Sequence, residues 1–212
     1  ESFRNSLFFN RGRQYHSVTY TYLNTKIRSL LSVGAQENKL QSHQVQYAHL
    51  WKKTWLINTE SAVGKNSGLS DNYASRNYDL DTYQLQPKLS YLFSANKSLS
   101  IFYEIKHKSN TINDKESLNQ SRMGIAVNYI GEKQFTLTGE FSYYRNDFTG
   151  NAQSPVAFQM LEGLQPGKNS TWRVLLQKNL TKYLDLNINY QGRQSETVKT
   201  IHTGSVQLRA FF

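Results

Sequence analysis

The sequence predicts an all-β chain that crosses a membrane as an antiparallel up-and-down β-barrel. Three observations carry this. Apolar and polar side chains alternate over stretches of about 8–12 residues, tight turns alternate with longer polar loops, and aromatic residues gather where the stretches end. A low mean hydropathy is no obstacle, because a strand with lipid on one face and water on the other averages out polar.

The segment Phe3 to Asn10 supplies a first strand. Val18, Tyr20 and Tyr22 then alternate with Thr19 and Thr21, and a tight turn is expected near Asn24-Thr25. From Gln41 to Lys65 the signal is weaker. Stripes Val45-Tyr47-Trp51 and Trp55-Ile57-Val63 flank a turn at Lys52-Lys53 and are interrupted by His49, Thr59 and Ser61. Tyr83, Leu85, Leu89, Tyr91 and Phe93 form another stripe, ended by a turn at Ala95-Asn96. Leu99, Ile101, Tyr103 and Ile105 oppose Ser100, Phe102, Glu104 and Lys106, and Met123, Ile125, Val127 and Tyr129 oppose Arg122, Gly124, Ala126 and Asn128. After a turn at Gly131-Glu132, Phe135, Leu137, Gly139, Phe141 and Tyr143 alternate with Thr136, Thr138, Glu140 and Ser142.

The C-terminal third alternates best. Trp172, Val174 and Leu176 precede a turn at Thr181-Lys182, and Leu184, Leu186, Ile188 and Tyr190 oppose Asp185, Asn187 and Asn189. In the last strand Val206, Leu208, Ala210 and Phe212 share a face, opposite Ser205, Gln207 and Arg209. Longer polar loops are expected around Lys65 to Asp81, Ser109 to Glu116 and Asp147 to Lys168. Short turns on one rim and long loops on the other describe an outer-membrane barrel, the short ones periplasmic. The expectation is about twelve strands, within a range of about 10–14, because single-chain bacterial barrels close with an even number. A soluble β-sandwich also alternates, but its strands are shorter, about 5–6 residues, and its outer faces polar. Here Trp51, Trp55, Phe93, Phe135, Tyr183 and Phe212 fall on the lower rim and Tyr143, Tyr144 and Tyr190 on the upper, where amphipathic rings favour the headgroup layer.

No run approaches the ~20 apolar residues a membrane helix needs. The net charge of +10 comes from lysines and arginines spread over the whole length, which argues against a dedicated nucleic-acid face. Zero cysteines decide nothing about compartment. The chain opens at Glu1 without an initiator Met or a signal stretch, as expected of a mature form or a fragment.

The segment Gly163-Leu164-Gln165-Pro166-Gly167-Lys168-Asn169, then Trp172, then Tyr190-Gln191-Gly192-Arg193, then Ile201 through Phe212 resembles the ending of large, mostly uncharacterised outer-membrane proteins of Bacteroidetes (Flavobacterium-like bacteria). The resemblance covers about the last fifty residues specifically. It implies an outer-membrane location and a barrel domain, residues 1–212, that is the C-terminal part of a longer chain. It transfers no catalytic residue. The terminal Phe212 looks like the signal by which the barrel-assembly machinery recognises its clients, beside its plain reading as a lipid-facing aromatic.

The polar faces hold charges at middle depth: Glu60, Glu104, Lys106, Arg122, Glu140, Arg173, Asp185, Arg193 and Arg209. Glu104, Arg122 and Glu140 fall at similar heights on successive strands and can pair across neighbours. Such a set is either a selectivity lining for an anionic or zwitterionic solute or a structural network filling a narrow barrel, the reading favoured at this size. The five histidines lack metal-site spacing, and nucleophile elbows and phosphate loops are absent, so neither cofactor nor metal is expected. His202, near Ser195, is the one residue that would serve an outer-membrane lipid hydrolase.

The loop from Gly150 to Lys168 carries Val156, Phe158, Met160, Leu161 and Leu164. Pro155 would open a short helix and Gly163 close it. It is read as a cap on the rim, with a lumen plug or an apolar partner surface (Val156, Phe158, Met160, Leu161) as alternatives. Thr59 and Ser61, small and polar on a lipid face, form a second candidate partner surface.

The leading expectation is a non-enzymatic barrel that anchors or joins a larger outer-membrane assembly. Its partners would be lipids, lipopolysaccharide and other surface proteins. A solute or export channel is the alternative, and a lipid-modifying enzyme a distant third.

Overall fold

The computed structural model describes residues 1–11, 15–31, 34–112, 116–131 and 135–211. Phe212 lies outside the described residues, as does part of the turns at Gly131-Glu132 and within Ser109 to Glu116. Eleven strands follow one another: β1 (Ser2–Phe9), β2 (Ser17–Leu31), β3 (Gly34–Trp51), β4 (Trp55–Ser70), β5 (Tyr78–Ser94), β6 (Lys97–Asn110), β7 (Ser117–Ile130), β8 (Thr136–Thr149), β9 (Gly167–Thr181), β10 (Leu184–Ser195) and β11 (Ile201–Ala210). Each pairs antiparallel with the next in a single up-and-down sheet. The helix α1 (Pro155–Leu161) interrupts the β8–β9 loop, and a 3-10 turn, Ala74–Arg76, lies between β4 and β5.

The strand count is eleven among the described residues, within the expected range of about 10–14, and two connections are corrected. No turn forms at Asn24-Thr25. β2 runs straight through, with Asn24 opposite Phe3 and Gln41 and Thr25 opposite Ser2 and Leu40. The β2–β3 ladder runs on to Leu31 opposite Gly34, and Gly34 takes φ 112°. Likewise β4 and β5 reach to Ser70 and back to Tyr78, so most of the expected loop from Lys65 to Asp81 is ladder. In both places polar residues mark strand that continues past the apolar band, where outward charges meet water and pair with each other. Lys26 and Lys39 hold Glu37 at 3.1 and 2.8 Å, and Lys65 reaches Asp79 and Asp81 at 3.8 and 3.5 Å.

Burial runs opposite to that of a soluble protein. Along β6 the apolar Leu99, Ile101, Tyr103 and Ile105 are exposed, while Ser100, Glu104 and Lys108 on the alternate face are buried. Neighbouring strands continue the outward band with Leu85, Met123, Ile125, Val127 and Phe141. A sandwich would bury that face, so the pattern decides for a barrel with lipid outside and a polar lumen. Tyr83 and Phe93 bound the band on β5. Ten residues at roughly 3.3 Å each, tilted by about 40°, span about 25 Å, the height of a lipid-facing belt. Below it Trp55, Tyr91 and Phe93 stack edge to face, and above it Tyr20 bonds His43 and Tyr190 bonds His202.

Candidate functional site: a charged lumen beneath an inward loop

Strand parity brings Glu104 on β6, Arg122 on β7 and Glu140 on β8 to the same inner face. Glu104 and Arg122 are direct cross-strand partners. Glu104, 3% exposed, sits at the centre of the cluster. Arg122 Nη1 lies 3.7 Å from its carboxylate and Lys106 Nζ 3.4 Å, and Gln84 donates to it at 3.4 Å. Arg122 also donates to Ser142 Oγ at 3.1 Å and pairs with Glu140. Its guanidinium lies 4.7 Å from the Phe102 ring centre and 5.3 Å from that of Tyr144. A carboxylate this buried is costly without partners, and the cations around it meet that requirement.

The β8–β9 loop folds inward over this cluster. Ser154 caps α1 by accepting the Ala157 N–H at 3.0 Å, and Pro155 sits in the first turn, where its missing N–H costs nothing. Val156, Ala157, Met160 and Leu161 form the buried face of the helix. They pack on Leu80 of β5 and Leu118 of β7, with Tyr78 and Phe148 alongside. Both leucines occupy lumen-facing positions, so the loop enters the mouth, whereas the sequence reading favoured a cap on the rim. Val156, Met160 and Leu161 are therefore closed to an outside partner in this arrangement, because a helix of this length places them on one stripe. Phe158, on the opposite stripe, is 70% exposed.

Two left-handed residues, Glu162 (φ 55°) and Gly163 (φ 79°), end the helix and turn the Glu162 carboxylate onto β6. Lys108 Nζ donates to it at 2.6 Å and to the Met160 carbonyl at 2.9 Å, and Lys106 approaches at 3.4 Å. Burial alone would raise the Glu162 carboxyl, but the two ammonium groups outweigh it and hold it below the usual carboxylate range. From there the loop returns along β8, β9 and β10. Asn146 and Asn169 donate to the Gln165 carbonyl at 2.9 and 2.7 Å, Ser195 donates to Asn169, and Arg193 donates to the Gly163 carbonyl at 3.3 Å. The loop is thus tied to inner-face residues of every strand from β5 to β10.

Beneath it lies a cavity of about 750 Å³ lined by Arg122, Glu140, Tyr144, Glu162, Arg173, Gln191, Arg193 and Thr203, among others. Its charges are not equally compensated. Arg122 is neutralised by two glutamates and Glu162 by two lysines. Arg173 faces Glu140 across the β8–β9 ladder without an ion pair, and Arg193 has only a carbonyl, so no carboxylate bonds either among the described residues. Asp185 and Arg209 are inward cross-strand partners lower in the lumen, beside a smaller cavity of about 210 Å³. Glu60, also inward, accepts from Gln46 at 3.3 Å.

Ser195 and His202 are not brought together. Ser195 points inward to Asn169, while His202 lies outward against Tyr190 and Trp172. Thr59 and Ser61 do face outward, beside Pro87 and Leu85 of β5. Sequence reasoning missed Lys108, Glu162, Asn146 and Asn169. Lys108, Asn146 and Asn169 carried a signal, since they continue the inward parity of Glu104, Glu140 and Arg173, whereas Glu162, in the loop, carried none.

No family model matches the chain, and no curated protein matches it. Among solved structures it is similar to the outer membrane channel DcaP of Acinetobacter baumannii, with a TM-score of 0.55 at 9% identity. That match covers 98% of this chain and 61% of that one, so the chain spans about three fifths of the length of that channel. The NanC porin follows at TM-score 0.43 and 12% identity, covering 100% and 99% of the two chains. The beta domain of the Bordetella autotransporter BrkA gives 0.39 and 8%, over 93% and 91%. The fold is the all-β, antiparallel, up-and-down barrel of outer-membrane proteins.

Proposed function

We propose that the chain forms the wall of an outer-membrane channel for small anionic solutes, with the β8–β9 loop as its constriction. The observation that carries this reading is the pair Arg173 and Arg193, two inward guanidinium groups that line the cavity of about 750 Å³ without carboxylate partners among the described residues. A network that only filled a narrow barrel would neutralise its charges, as Glu104, Arg122 and Glu140 do. Uncompensated cations in a confined, low-dielectric passage attract anions and repel cations. The likeness to a protein described as an outer membrane channel agrees with it. In this reading the short turns face the periplasm, the long loops and lipopolysaccharide lie outside, and the barrel-assembly machinery inserts the chain. No step of it requires catalysis or a cofactor.

The test is single-channel recording of the native protein in planar bilayers. Stepwise conductance with anion preference is expected, and replacing Arg173 and Arg193 by alanine removes the preference while conductance persists. Electrically silent, correctly folded protein would contradict the channel and favour the anchoring role the sequence first suggests.

A further inference from the structure

The sheet is not closed by its own ends. β1 and β11 each pair on one side only, and no ladder joins them among the described residues. All ten residues of β11 are exposed, and seven of the eight in β1. Outward Leu7, Val206 and Leu208 place both edges within the lipid band, where no water is available to bond free N–H and C=O groups. Something must therefore pair with both edges.

Parity limits what it can be. Successive strands alternate in direction, so β1 and β11, both odd in order, run the same way. A direct ladder between them would be parallel, and so would one between β11 of one copy and β1 of a second copy inserted in the same orientation. Only an odd number of intervening strands gives antiparallel ladders on both edges and an even total. All ten existing pairs join strands consecutive in the sequence, so further strands of the same order would be carried by the same polypeptide beyond β1 or β11. The DcaP match agrees, because nearly all of this chain superposes on little more than three fifths of that one.

We infer that an odd number of further strands, carried by the same polypeptide outside residues 1–212, closes the barrel between β11 and β1. One strand gives a barrel of twelve and three give fourteen. This rests on the fold alone and stands or falls separately from the channel reading.

The experiment uses the native protein in its outer membrane. A photo-crosslinking benzoylphenylalanine replaces Val206 on β11 or, separately, Leu7 on β1, and the captured peptides are sequenced by mass spectrometry. The expected result is that both probes capture peptides of the same polypeptide lying outside residues 1–212. A denatured mass clearly above 24.5 kDa is expected from the unsubstituted protein, which needs no variant to fold. Capture of β1 by the Val206 probe, capture of a second copy or a different polypeptide by either probe, or a denatured mass of 24.5 kDa would overturn it.

Discussion

The wall from β5 to β9 and the two end strands share one dyad repeat, yet their inner faces end up in opposite states. In the wall, Glu104, Lys108, Gln120 and Asn146 are buried polar groups, each with partners across the ladder or from the inward loop. On β11 the inward Gln207 and Arg209 are exposed, and so are the outward Val206 and Leu208. Alternation decides which way a side chain points. What it meets there is decided by the neighbouring strand and by whatever the lumen contains. Order inside this barrel is therefore concentrated where α1 lies and thins toward the open edges.

Substitutions on the two sides should separate sharply. Arg122→Ala removes the central partner of a buried glutamate and is expected to destabilise by about 3–5 kcal/mol, the usual consequence of breaking a buried pair. Arg209→Ala, on the exposed strand, should stay within about 0.5 kcal/mol. Unfolding in detergent, followed by tryptophan fluorescence, compares the two. Equal losses would erase the distinction.

A more local break is Met160→Ala. Met160 is fully buried between α1 and the wall, and its truncation should weaken loop docking by about 2–5 kcal/mol while the strands stay intact. Limited proteolysis near Phe158, already exposed, reports the docking. Faster cleavage with unchanged barrel unfolding is the expected pair of results.

The smallest effect is that of pH. Because Glu162 titrates below the usual carboxylate value of about 4.3, its link to Lys108 and Lys106 is fully present above that value. It is lost as pH falls through the lowered folded value. The group is partly exposed, so solvent screening keeps the contribution modest. Cleavage near Phe158 should accelerate only in that acidic window, and Glu162→Gln should flatten the dependence.

Much of this was legible in the sequence because a barrel strand writes its two faces in alternate letters. Glu104, Arg122, Glu140, Arg173 and Arg193 all point inward as their parity requires, and Pro155 and Gly163 bracket α1. The loop's return path was not legible. Nothing periodic says that Glu162 meets Lys108 on β6, more than fifty residues earlier, or that Asn146 and Asn169 seize the Gln165 carbonyl. Asn24-Thr25 misled for a different reason. Polar residues there continue a ladder past the lipid belt, and local polarity alone cannot tell such an extension from a turn.

The central claim, a lumen made anion-attracting by Arg173 and Arg193, meets its most direct test in the reversal potential of the native protein in planar bilayers under a potassium chloride gradient. The account predicts a potential on the anion-selective side, and a shift to the cation-selective side when both arginines become glutamate. A potential that is cation-selective in the native protein, or unmoved by the double charge reversal, would contradict it.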